Sequence, residues 1–366
     1  MKNSKKTILI CLLIFQQSVF SIDFKKIEEH VANTPHSSTK STEALSKYLT
    51  SAFEQEDEKF AAIYFWVGKN IRYDVNQKNQ NRKYFSTKEI VNEVMKHRKG
   101  VCQHYSELFH ELSRLAGLKS YVVSGYGKEY EKVMNLAHAW NVIEIDSTWY
   151  LVDVTWGAGY LYRGQYKNDF KLKYFMVEPA VFIVDHIPFD PMWQLLPFPI
   201  KYDKFDFGTT NNNVQKRFYY KDTIKIYVKL PVIEQKINTV RRIESNGKKN
   251  KLVLTELNHE REYIKIARKN EEIKNLNSGN YYYNEAVKQL NEFYELKQKK
   301  TKGKKVSNSK LMSELSLIEK NLNIAKKHYA KVKTTDKDIF YKLKKVNSSV
   351  SKFEKIIIQQ KGYLGN

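Results

Sequence analysis

Apolar residues follow helical spacing over most of this 366-residue chain and give way to strand-like runs only between about residues 119 and 154. From Asp57 to Asn70, the run Phe60-Ala61-Ala62-Ile63-Tyr64-Phe65-Trp66-Val67 places apolar side chains on nearly every face, the mark of a mostly buried helix. Tyr84 to Lys99 carries Ile90, Val91, Val94 and Met95 at helical spacing and predicts another. A third starts at Cys102, with the stripe Tyr105, Leu108, Phe109, Leu112 and Leu115, and Gly117 stands where a helix cap belongs. Residues 22–57, rich in Ser, Thr and Lys through residue 50, read as a loosely packed lead-in with one short helix.

Three segments rich in β-branched and aromatic residues predict strands: Tyr121–Tyr126, His138–Ile145 and Thr148–Val154. A two-residue turn at Asp146-Ser147 would pair Ile145 with Thr148, Trp140 with Asp153 and His138 with Thr155. Alternation then puts His138, Trp140, Asp153 and Thr155 on one face, with His138 and Asp153 as diagonal neighbours roughly 7–8 Å apart at the backbone. Phe175–Pro179 and Asp185–Gln194 read as irregular aromatic packing over the domain edge, because five of the seven prolines fall between Pro179 and Pro199. Thr209–Asn213 reads as a linker. Beyond it, Leu311, Leu315, Ile318 and Leu322 form one helical stripe. Phe340, Leu343, Val346, Val350, Phe353 and Ile357 form a second, and Leu254, Leu257, Ile264, Ile273 and Leu276 a weaker third. Lys299–Lys305 is a polar break between helices.

Charge separates these halves. Residues 211–366 hold 36 Lys and Arg against 16 Asp and Glu, almost all of the formal net charge of +23. Such asymmetry predicts two regions with different partners: 58–208 as a catalytic domain and 214–366 as a basic, mainly helical module suited to an anionic membrane or cell-wall polymer. Residues 1–21 have the parts of a signal peptide. Lys2, Lys5 and Lys6 precede the apolar run Thr7–Phe15, and Val19 and Ser21 suit cleavage after Ser21. The expected destination is outside the cytoplasm, where nucleic acid is not an expected partner.

Cleavage there removes Cys11 and leaves Cys102 as the one thiol. A single cysteine makes no internal disulfide. At a helix N-terminus it is favoured as thiolate by the helix dipole, and a His followed by an Asp on neighbouring strands supplies an oriented base. Cys102, His138 and Asp153 thus predict acyl transfer from an amide, with Gln103, His104, Trp140 and Trp156 as cleft or oxyanion candidates and a protein or peptide as substrate. His97, His104 and His110 lack ligand spacing and no phosphate loop is present, so neither metal nor cofactor is expected.

Residues 58–197 resemble the transglutaminase-like superfamily, in particular an exported, peptidase-like branch similar to kyphoscoliosis peptidase. The resemblance rests on Ile63-Tyr64-Phe65-Trp66-Val67, Asn70-Ile71-Arg72-Tyr73-Asp74, Gly100-Val101-Cys102, Val123-Ser124-Gly125-Tyr126, His138-Ala139-Trp140-Asn141, Trp149–Gly157 and Trp193-Gln194-Leu195-Leu196, in that order. It implies a papain-like α+β fold in which a Cys-bearing helix packs on an antiparallel sheet that carries the His and Asp. His104 departs from the Gly usual in that branch and puts bulk near the nucleophile. A non-catalytic binding or scaffold protein on the same fold is the alternative.

Overall fold

The computed structural model describes residues 22–76, 86–208 and 216–365. The expected leader (1–21) and the linker Thr209–Asn213 lie outside them. Two helices, α1 (Phe24–Ala32) and α2 (Thr42–Thr50), open the described chain. Asp23 accepts from the Lys26 N–H and Ser41 from the Ala44 N–H, so each helix starts on a side-chain cap. This corrects the loose lead-in. Ile27, Val31, Leu45, Leu49 and Phe53 are buried in the same cluster as Phe60 to Val67, and the Ser46 hydroxyl donates to the Leu112 carbonyl at 2.7 Å. The apolar residues recur four apart, a spacing that the polar composition of the segment hides.

The central helix α3 (Glu56–Asn70) is buried from Phe60 to Gly68, as its all-round apolar surface requires. It leads into β1 (Arg72–Tyr73), then α4 (Thr87–His97), β2 (Lys99–Gly100) and α5 (Cys102–Leu115). The left-handed Arg98 turns α4 into β2, which pairs in parallel with β1 through Arg72↔Lys99 and Tyr73↔Gly100. At the far end of α5, Gly117 takes φ +75°, the conformation its capping place demands.

The sheet follows: β3 (Lys119–Glu129), β4 (Lys132–Val133), β5 (His138–Ile145) and β6 (Thr148–Val152), in the order β4-β3-β5-β6. The β5–β6 register is Ile145↔Thr148 through Asn141↔Val152, closed by Asp146 and Ser147 at φ 49° and 64°. This is the expected hairpin and register, but it stops before the expected pairs Trp140–Asp153 and His138–Thr155. Pairing ends at Val152, and the chain turns into α6 (Val154–Ala158), with Asp153 as its N-cap and Thr155 inside it. A small hairpin, β7 (Gly159–Tyr162) and β8 (Gln165–Asn168), and the helical turn α7 (Pro179–Phe182) come next. Part of the supposedly irregular edge is a strand: β9 (His186–Pro188) pairs with β3 through Gly125↔Pro188 and Gly127↔His186.

One face of the sheet belongs to the α-helical core through Ile143, Ile145 and Val152. The other carries Trp140, Val142, Trp149 and Leu151, covered by Phe182, Met192, Trp193 and Ile224. Two further helices, α8 (Tyr202–Asp206) and α9 (Tyr220–Tyr227), lie in this region, which also includes the end of α10 (Val232–Ser245). There Arg242 grips both oxygens of Asp190, at 2.7 and 2.6 Å.

The chain forms two compact units, residues through Lys229 with Arg242–Thr255, and Leu230–Arg241 with Glu256 onward. The division does not follow the expected boundary at 208–214. The second unit contains most of α11 (Lys251–Thr301) together with α12 (Asn308–Tyr329) and α13 (Lys337–Gly365). Tyr329–Asn280 and Asn321–Gln289 contacts run α12 antiparallel to α11; Lys326–Glu354 and Lys361–Glu319 run α13 antiparallel to α12. Leu311, Leu315, Ile318 and Leu322 are all buried, as are Val350, Phe353 and Ile357. Ile339, not Phe340, takes the buried place at the start of α13, and Leu254 and Ile273 are exposed. Among the described residues no helix is long and apolar enough to cross a membrane.

Candidate active site

The first turn of α5 is pinned from three sides. The Asp74 N–H donates to the Gly100 carbonyl across the β1–β2 pair, and the Tyr105 hydroxyl donates to the Ile71 carbonyl at 2.7 Å. The third anchor is His104, whose ring reaches back toward the helix N-terminus, as helical side chains do, and accepts from the Val101 N–H at 3.3 Å. His104 packs directly over Gly100, where any Cβ would collide with it. Cys102 is thereby held at the helix start as a free, partly accessible thiol.

The sheet is registered on this helix by Asn141, whose side-chain amide donates to the Ser106 carbonyl at 3.0 Å. His138, at the head of β5, is 5% exposed, and its Nε2 lies 2.6 Å from Asp153 Oδ2. A carboxylate only accepts, so Nε2 carries the hydrogen. Cys102 acts on the same ring electrostatically, and Nδ1 is the nitrogen left to face it. Burial alone would lower the pKa of His138. The Asp153 charge and hydrogen bond, followed by Cys102, outweigh it and raise the imidazole well above its ordinary value. Burial would likewise raise Asp153, yet His138 and then His186 hold it well below the carboxylate range. Asp153 accepts three hydrogen bonds: His138 and His186 (3.1 Å) at Oδ2, and the Trp156 N–H (3.1 Å) at Oδ1.

Cys102, His138 and Asp153 therefore come together. Of the four cleft candidates, Gln103 is exposed beside Cys102, and Trp156 is half-buried with its ring 5.5 Å from that of His138. The other two are corrected. His104 is fully buried, committed to Val101 and Gly100 rather than to a cleft. Trp140 is fully buried behind the site, 5.9 Å from the His138 ring and 5.2 Å from that of His186, with its Nε1 unpartnered among the described residues.

His186 and Tyr73 escaped the sequence reading. His186 opens a strand too short to show a pattern, and only its place in Asp185-His186 beside the prolines marked it. Burial, then the charges of Cys102 and Asp153, hold the Tyr73 phenol above its ordinary range, so Tyr73 lies within electrostatic reach of the thiol. His138, Asp153 and His186 also form a group whose potential ligand atoms lie within 4.8 Å of one another. Both Nε2 atoms converge on one oxygen at hydrogen-bond distance, so a metal would have to displace the hydrogens that join them.

Comparison with known proteins matches residues 43–154 to the model of the transglutaminase-like superfamily. The chain is 32% identical over 196 residues to kyphoscoliosis peptidase of Mus musculus, covering 50% of this chain and 29% of that protein. Its likeness to the Homo sapiens protein of the same name is 33% over 172 residues, 44% and 25% of the two chains. Hillarin of Drosophila melanogaster is 25% identical over 214 residues, 52% and 25%. The chain thus spans less than a third of the length of these relatives. A solved structure described as a putative cysteine protease from Cytophaga hutchinsonii aligns at 19% identity and a TM-score of 0.26, over 36% of this chain and 42% of that one.

Proposed function

From the premise that the chain belongs to the transglutaminase-like superfamily, through residues 43–154, we propose that it is an exported cysteine-dependent enzyme of acyl transfer on amide bonds. In this reading the Cys102 thiol gives its proton to His138 and attacks the amide carbonyl carbon. The carbonyl oxygen becomes an oxyanion facing the Cys102 N–H, one of the donors that a helix start leaves unpaired. Collapse breaks the C–N bond, the leaving nitrogen takes the proton from His138, and a Cys102 thioester remains. Water resolves it in hydrolysis, or an amine in transamidation, with His138 accepting the proton of the incoming nucleophile and returning it to the sulfur. Asp153 holds the ring in one tautomer and balances its charge.

The observation that carries this reading is the 2.6 Å contact between His138 and Asp153 on a ring that Cys102 also engages. The test is to incubate the full chain with a peptide library, with and without a fluorescent primary amine. Cleaved peptide identifies hydrolysis and amine-labelled peptide identifies transamidation. A Cys102 that alkylates no faster than a free cysteine at pH 6, with neither product, would instead favour the non-catalytic binding protein.

The same reading gives the basic C-terminal region the task of holding the enzyme on an anionic surface, membrane or cell-wall polymer. Its support is the excess of 36 Lys and Arg over 16 Asp and Glu in residues 211–366.

A further inference from the structure

Asp153 is held by more than His138. On its other side His186, completely buried, points Nε2 at the same Oδ2 at 3.1 Å, while its Nδ1 lies 2.5 Å from Asp185 Oδ1. Asp185 in turn accepts at Oδ2 from the Tyr174 hydroxyl at 3.0 Å. Each neighbour of the His186 ring nitrogens is a carboxylate oxygen, which accepts and does not donate, so both nitrogens act as donors. Four aromatic rings enclose this imidazole: Phe182 at 4.2 Å, Trp156 at 4.3 Å, Trp140 at 5.2 Å and Tyr174 at 5.6 Å.

We propose that His186, oriented by Asp185, is a positioning residue for the Cys102–His138–Asp153 site, fixing the carboxylate that fixes the base. The proposal rests on the reading of those three residues as the working triad. Asp153 otherwise has one hydrogen bond per oxygen, from His138 and from the Trp156 backbone, and could swing about its Cβ–Cγ bond. The second donor on Oδ2 stops that swing, and Asp185 keeps the donor aimed.

Packing and positioning make opposite forecasts for two variants, read by the rate at which iodoacetamide alkylates Cys102 in the full chain at pH 6. His186→Phe keeps a ring against Phe182 but removes both donors, and should slow alkylation about tenfold to a hundredfold, the scale of one hydrogen bond to a charged group. His186→Gln keeps a donor for Asp153 and should recover most of the rate. Asp185→Asn, at a position with 28% side-chain exposure and so tolerant of change, should cost a few-fold without lowering the melting temperature. Near-wild-type rates in all three, or a fast His186→Phe beside a slow His186→Gln, would overturn the proposal. Should both His186 variants unfold, Asp185→Asn alone decides it, since an unchanged rate there removes the positioning role. His138→Ala separates the two levels. If it alkylates as fast as wild type, the triad reading itself fails; if it is slow while the His186 and Asp185 variants are fast, only this inference does.

Discussion

The neighbourhood of Cys102 and the C-terminal helical bundle bury their residues by opposite rules. Around Cys102, the polar side chains of His104, His138, Asn141, Asp153 and His186 are at most 5% exposed, and each meets a specific partner. In the bundle the interior is Leu311, Leu315, Ile318, Leu322, Phe353 and their kin, with Asn275 and Gln360 near its margin. The pairs Lys326–Glu354 and Lys361–Glu319 sit where water reaches them. A buried polar group forces one geometry because any other leaves it unpaired, whereas an apolar interior tolerates small shifts. The region that brings Cys102, His138 and Asp153 together uses the first device. The basic region, whose charges need no fixed places, uses the second.

The sharpest way to break this contrast is Asp153→Asn. It should keep the fold and lower turnover of a peptide amide about 10³–10⁴-fold, because the amide no longer selects the tautomer of His138. A loss of only a few-fold would mean that the polar network is ordinary packing. Next in size, Leu315→Ala should destabilise the bundle by about 2–5 kcal/mol, from lost burial and the cavity left behind. Lys326→Ala should cost at most about 1 kcal/mol, as exposed ion pairs do. Urea unfolding followed by circular dichroism measures both, and equal costs would erase the distinction.

Acidity sharpens it further. His138 is raised in the folded state, so its contribution is complete below the unfolded value near 6.5 and drains away as pH climbs toward the folded value. Asp153 is lowered, so its contribution is complete above about 3.9 and is lost as pH falls toward the folded value. Both are present together between about pH 4 and 6.5. The gap in melting temperature between wild type and a His138→Gln/Asp153→Asn double variant should be greatest in that window and shrink on either side. A gap independent of pH would remove the charged pair. The smallest effect expected is that of one exposed lysine. Lys345→Gln should weaken binding of the full chain to phosphatidylserine vesicles about five-fold at low salt, from about 1 kcal/mol per basic residue near an anionic surface. Binding should vanish by 1 M salt, where the Debye length is about 3 Å; salt-insensitive binding would assign the attachment to something other than charge.

The hairpin that carries His138 and leads into Asp153 was legible because a two-residue turn and an alternating pattern leave one register. The buried helix α3 and the bundle stripes were legible for the same reason, a period repeated long enough to be seen. His104 was misplaced because a sequence shows its bulk and not the backbone N–H beside it. Trp140 was misplaced because one face of the sheet turned out to be covered by Phe182, Met192, Trp193 and Ile224. His186 was missed because its strand has three residues and its partners lie one and 33 positions away. Short elements and long-range polar contacts leave no period to read.

Asp153 holds two posts at once: one oxygen meets the imidazoles, and the other starts α6 through the Trp156 N–H. A lineage without the proposed reaction would still be selected to keep this aspartate for the sake of the turn it begins. Cys102 has no comparable second employment, since its helix is pinned by the neighbours on either side of it, His104 and Tyr105 among them. In descendants of this chain, decay of the reaction should therefore register first as replacement of the thiol, with the aspartate persisting as an heirloom.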